Sequence, residues 1–121
     1  MQYTIMIKTG NVENGGTKAR VYVDLFGKNR NARRIRLDDS EQTRFQAGSK
    51  DTIKIEAEDI GSITQLCIYH DNTGENPSWY VETVTLESED GTILVFDFNQ
   101  WLSLFHQPVH IRACREPVTE E

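Results

Sequence analysis

Alternation of apolar and polar residues with period two runs through nearly the whole chain, and no stretch keeps a helical period for three turns. Tyr3, Ile5 and Ile7 alternate with Thr4, Met6 and Lys8. Val21, Val23 and Leu25 alternate with Arg20, Tyr22 and Asp24, and Ile35 and Leu37 with Arg34, Arg36 and Asp38. Ile53, Ile55 and Ala57 alternate with Lys54, Glu56 and Glu58. Leu66, Ile68 and His70 share one side of a fifth run. Val84 and Leu86 share one side of a sixth, 79–86; a seventh spans 93–98, and Val109, Ile111 and Ala113 mark an eighth. Successive side chains of a strand point to opposite faces, so each run suits a sheet with one buried and one wetter face.

Turn-forming residues fall between the runs, at 10–16, 27–31, 48–51, 71–74 and 89–91. Asn and Asp there can bond their own backbone and Gly supplies positive φ; Asp90-Gly91 is a tight-hairpin signal. Eight short strands at this spacing argue a β-sandwich or barrel. Residues 101–105 are expected to form at most a helical turn, and 116–121 a polar tail or linker after a single domain, 1–115.

With 121 residues the chain has the length of one domain, too short for two ordinary domains or a large barrel enzyme. Its net charge of −6 argues against a generic nucleic-acid binder. No apolar run approaches the ~18–20 residues of a membrane span, and the N-terminus lacks the basic-then-apolar plan of a secretion signal. Cys67 and Cys114 are too few and too far apart for a disulfide framework or a four-ligand zinc site. Each is expected to be a small filler beneath a neighbouring strand. A reducing, cytoplasmic setting follows as the default, with a peripheral position at the plasma membrane in reserve.

Several strings together resemble the PLAT domain, the module shared by polycystins, lipoxygenases and alpha-toxin. They are 3–10, Gly15-Gly16-Thr17-Lys18-Ala19, 21–27, 45–51, Asp59-Ile60-Gly61, 66–72, Pro77-Ser78-Trp79 and 96–102. No single piece is diagnostic; the order and spacing of the set carry the likeness. The resemblance implies two packed four-stranded antiparallel sheets. Within the family the chain is most similar to the repeats of a lipoxygenase-homology protein built of many such units, so adjacent PLAT repeats are candidate neighbours in a longer parent.

No nucleophile–base constellation, phosphate loop, dinucleotide fingerprint or metalloprotease helix motif is present. His106 and His110 are four apart, but Pro108 interrupts them, so we expect no metal site there. The chain is accordingly expected to be no enzyme and to need no cofactor. Calcium needs six to eight oxygens on loops that close around it. Calcium-binding members of the family carry acids where this chain has Lys18, Thr43, Arg44 and Pro77-Ser78. Weak candidates remain in Asp71, Asn72, Glu75 and Asn76, for which an Asx-type turn is the plainer account. Of the loops that family members press into lipid, 11–14 and 72–75, only Val12 is apolar here, so wedge-like insertion looks poor. Trp79 is expected in the core; Trp101 caps the sandwich or, if exposed, serves as a binding anchor.

The main positive feature is basic. Lys28, Arg30, Arg33, Arg34 and Arg36 lie within nine residues of an acidic protein. Alternation puts Arg34 and Arg36 on one face, opposite Ile35 and Leu37. A solvated face balanced by Asp24, Asp38 and Asp39 would explain them. So would a contact with an acidic protein surface, or with anionic lipid headgroups. The functional expectation is a non-catalytic interaction module that docks a protein at or near a membrane, with peripheral anionic-lipid binding as the alternative.

Overall fold

The computed structural model describes residues 1–37, 45–74, 77–105 and 109–118. Among them are eight strands and no helix. The strands are β1 (Gln2–Thr9), β2 (Val21–Gly27), β3 (Asn31–Arg36), β4 (Lys50–Glu56), β5 (Ile63–His70), β6 (Trp79–Ser88), β7 (Ile93–Leu102) and β8 (Arg112–Arg115). They form two four-stranded sheets, ordered β4-β1-β6-β7 and β3-β2-β5-β8, with every neighbouring pair antiparallel.

The alternation dictates which faces meet. Tyr3, Ile5 and Ile7 of β1, Val84 and Leu86 of β6 and Phe96 and Phe98 of β7 are buried on the inner face of the first sheet. Val21, Val23 and Leu25 of β2, Leu66 and Ile68 of β5 and Ala113 of β8 supply the facing layer. Each fully buried aliphatic or aromatic side chain contributes about 1.5–3 kcal/mol, so a one-residue slip that turned such a row outward would cost many times that amount. Trp79 is fully buried, packs 5.1 Å from the Phe45 ring and donates its indole N–H to Thr9 Oγ1 at 3.0 Å.

Three local expectations need correction. Trp101 and Leu102 do not begin a helical turn; they end β7, in register with Tyr80 and Trp79. The cross-strand packing of Trp101 edge-on to Tyr80, with ring centres 5.5 Å apart, holds the extended form. The eighth strand starts later than the apolar residues suggest, and His110 makes only an isolated bridge to Ser103. Finally, Cys67 and Cys114 are not separate fillers: they form a disulfide, with Cα atoms 4.0 Å apart. The pairing of β5 with β8 sets them directly opposite each other, which a separation of 47 residues did not reveal. The expectation of a reducing compartment rested on isolated thiols and loses that ground. Beyond β8, Val118 N–H donates to the Val95 carbonyl of β7 at 2.8 Å.

The described parts of the loops after β1, β3, β5 and β7 lie at one end of the sandwich. Backbone bonds tie them together: Tyr80 to Gly15, Thr17 to Phe45 and Asp71 to Arg20.

Candidate functional site

The outer face of the second sheet is where charged and aromatic side chains converge. Strict alternation would turn Arg33 inward. In the structure Val23 pairs with Ile35 and Leu25 with Ala32, so Arg33 and Arg34 together oppose the single residue Asp24. This is a β-bulge, and Arg34 occupies the left-handed region at φ 56°. Asp24 Oδ1 accepts the Arg34 backbone N–H at 2.7 Å, which offsets the cost of that conformation. The bulge therefore brings both arginines to the outer face.

Asp24 is buried, 2% exposed, and is surrounded by donors. Tyr69 O–H donates to its Oδ1 at 3.0 Å, Arg112 Nη2 to its Oδ2 at 3.0 Å, and Arg33 Nε lies 3.6 Å from Oδ2. Burial alone would push its carboxyl up. The bonds from Arg34 N–H, Arg112 and Tyr69, with the Arg112 charge, outweigh burial and hold it below the ordinary carboxylate value. The Tyr69 phenol moves the other way. Burial first, and then its bond to the Asp24 carboxylate, push it up to about 12, so it stays a proton donor.

Above this anchor lies a row across the four strands. Tyr22 is in register with Tyr69, and Tyr69 with Arg112. The two rings stack with centres 5.5 Å apart. Arg34 Cζ lies 5.6 Å from the Tyr22 ring centre and Arg112 Cζ 5.7 Å from that of Tyr69; Arg33 packs over Phe26 at 5.8 Å. Guanidinium groups stack on aromatic faces while keeping their edges open for acceptors. A groove of about 380 Å³ runs between these arginines over Tyr22, Tyr69 and Asp24.

The five cations of the segment are not all brought to one face. Arg33 and Arg34 join this face, and Arg36 is in register with Tyr22. Lys28 and Arg30 sit at the β2–β3 hairpin, where Arg30 pairs with Glu58 at 2.5 Å. Arg112, which completes the site, was not singled out in the sequence. Its only signal was sharing a strand face with Cys114. Trp101 belongs to β7 in the other sheet and is not brought to the arginines.

The candidate calcium residues divide. Glu75, Asn76, Thr43, Arg44, Asp38, Asp39 and His106 lie outside the described residues. Asp71 closes a turn: its Oδ1 accepts from Arg20 N–H at 3.1 Å, Thr73 N–H at 3.1 Å and Thr73 Oγ1 at 2.5 Å. Burial raises its carboxyl, but these bonds and Arg20 prevail and lower it. Asn72, at φ 61°, donates its N–H to His70 Nδ1 at 2.9 Å, and its side-chain Oδ1 is buried with no partner among the described residues. No group of three or more metal-binding His, Cys, Asp or Glu side chains occurs among the described residues. Of the two candidates among the described residues, Asp71 is thus committed to its turn.

A second surface was missed in the sequence. At the loop end, Phe105 is 80% exposed and Leu104 46%, and Val12 and Val109 are exposed as well. The assumed helical turn at 101–105 hid them. No helix among the described residues is long and apolar enough to cross a membrane.

Residues 3–113 match the family model of the PLAT/LH2 domain. The human lipoxygenase homology domain-containing protein 1 (Homo sapiens) is 34% identical over 84% of this chain, and mouse polycystin-1-like protein 3 (Mus musculus) is 34% identical over 68%. The chain spans only 5% and 4% of those relatives' lengths. Among solved structures, a coral 8R-lipoxygenase, described as calcium-activated through a C2-like domain, superposes with a TM-score of 0.85. It is 24% identical, and the match covers 97% of this chain and 17% of that one. The alpha-toxin of Clostridium absonum follows at a TM-score of 0.68 and 20% identity, over 83% of this chain and 28% of that one. The sandwich of two four-stranded sheets is thus that of lipoxygenase PLAT domains, and this chain belongs to the PLAT/LH2 family, a module of larger proteins.

Proposed function

We propose that the chain is a non-catalytic interaction module that docks the larger protein it serves onto an acidic protein partner through the outer face of its second sheet. One observation carries this reading. Arg33, Arg34 and Arg112 gather on one face, Arg34 and Arg112 over the stacked rings of Tyr22 and Tyr69 and Arg33 over Phe26, on a protein whose net charge is −6. Concentrating cations on one face of an acidic molecule orients an approaching acidic surface and speeds its capture. Arginine and tyrosine are also among the side chains enriched where binding energy concentrates.

The test is binding to immobilised poly-glutamate at low salt, compared with the variant Arg33→Glu, Arg34→Glu. Wild type should bind and lose binding steeply as salt rises, because the Debye length falls from ~10 Å at 0.1 M to ~3 Å at 1 M. The variant should stay folded and bind weakly. Equal binding by the variant would refute the docking role of this face.

A second reading, peripheral binding to anionic lipid, is favoured by Phe105 and Leu104, which stand exposed at the loop end. Flotation with phosphatidylserine vesicles, with and without calcium, separates the two. Lipid binding through this end should be lost in Phe105→Asp and survive the arginine substitutions.

A further inference from the structure

We infer that the row Arg34, Tyr22, Tyr69, Arg112 is a two-pronged receptor for an extended acidic peptide segment whose carboxylates stand about four residues apart. The inference rests on the docking reading above and adds the partner's chemistry and spacing. The row advances in three steps of 5.6, 5.5 and 5.7 Å, from one guanidinium across two ring centres to the other. An extended chain rises about 3.3 Å per residue, so side chains four apart are separated by about 13 Å, within the reach of that row. The two stacked rings fill the space between the prongs and hold them apart.

The prongs are held in position before any partner arrives. Arg112 is tied to Asp24 Oδ2 and also donates to Cys114 Sγ at 3.2 Å, while the disulfide fixes Cys114 to β5. Arg34 is set by the bulge through its own backbone N–H. Its side chain meets the Tyr22 ring, and no carboxylate pairs with it among the described residues. Positions fixed in advance lose less entropy on binding than free arginines would. Asp24 lies beneath the row at 2% exposure, and both of its carboxylate oxygens accept hydrogen bonds, so its charge orders the arginines from below.

The test is a titration followed by amide chemical shifts at about 20 mM salt, where screening is weak. The probes are Gly/Ser decapeptides carrying two Glu residues one, four or eight positions apart, and a Gln control. The four-residue spacing should bind roughly tenfold tighter than the others, because the second contact becomes intramolecular only when the span fits. Shifts should centre on Tyr22, Arg34, Tyr69 and Arg112. Arg34→Gln, which keeps the backbone donor of the bulge, should remove the spacing preference, as should Tyr22→Leu. Equal binding by all three spacings would overturn the receptor and leave a face that binds charge without regard to spacing. Binding to phosphatidylserine vesicles with no shift from any peptide would overturn it in favour of lipid. Failure to bind poly-glutamate as well would remove the docking reading along with it.

Discussion

Asp24 is the residue on which the proposed face depends, and its replacement has a calculable cost. In Asp24→Ala the Arg34 N–H of the bulge and the Tyr69 O–H lose their acceptor, while Arg33 and Arg112 lose a counter-charge. A buried donor left without a partner costs about 1–3 kcal/mol. The two arginines are 64% and 43% exposed and can return to water, so their ion pairs add little. The expected loss is therefore about 2–4 kcal/mol, carried mostly by the bulge and the phenol. Asp24→Asn keeps one acceptor and should lose about half as much. Urea unfolding at pH 7 measures both. The pH dependence supplies the sign. The folded-state carboxyl lies below its ordinary value, so its stabilisation is complete above about pH 4 and disappears as pH falls through the folded value. The gap between wild type and Asp24→Asn should narrow below pH 4. An alanine variant within about 0.5 kcal/mol of wild type, or a gap that persists unchanged into strong acid, would refute the assignment of Asp24 as the anchor of this face.

The disulfide closes a loop of 47 residues, for which the chain-entropy relation gives about 4 kcal/mol. Reduction by a dithiol, or joint Cys67→Ala and Cys114→Ala substitution, should lower stability by about 2–4 kcal/mol, and thiol alkylation without reductant should label neither cysteine. His70 is 1% exposed and receives Asn72 N–H at Nδ1 while its Nε2 faces the Leu102 carbonyl at 2.7 Å, a pair of partners that only the neutral, Nε2-protonated ring satisfies. Burial lowers its pKa, against the smaller opposing effects of Leu102 and Asp71, so stability should decline as pH falls below about 6.5 and nitrogen chemical shifts should report a neutral ring at pH 6. Calcium at 1 mM should stabilise by less than about 0.4 kcal/mol, the value for a dissociation constant of 1 mM. A rise of several degrees in melting temperature, abolished by chelator and by Asp71→Ala, would show a ligand set that Asp71 completes.

Alternation along the chain was sufficient to read most of the strands and their buried faces, because burying one face of a strand is a local constraint of period two. Trp79 stands at the opposite parity to Val84 and Leu86; the family resemblance pointed to the core for it, and a register shift between Val81 and Thr83 turns it inward. The same alternation correctly put Arg34 and Arg36 opposite Ile35 and Leu37. It failed at Arg33, because a bulge opposite Asp24 inserts one residue and changes the phase. Two further features could not be read from any local pattern. Arg112 reaches Asp24 across 88 residues of sequence, and Cys67 meets Cys114 across 47. Both follow from β8 pairing with β5 in one register. Strand order and register are chosen by the packing of two whole sheets, whereas the periodicity of each strand specifies only which side of it turns inward. The sequence by itself determined an all-β fold, its core and the presence of cations on β3, and the family resemblance carried by its strings pointed to a sandwich rather than a barrel. Tertiary pairing alone decided which cations share a face, which acid anchors them and which aromatic rings they rest on.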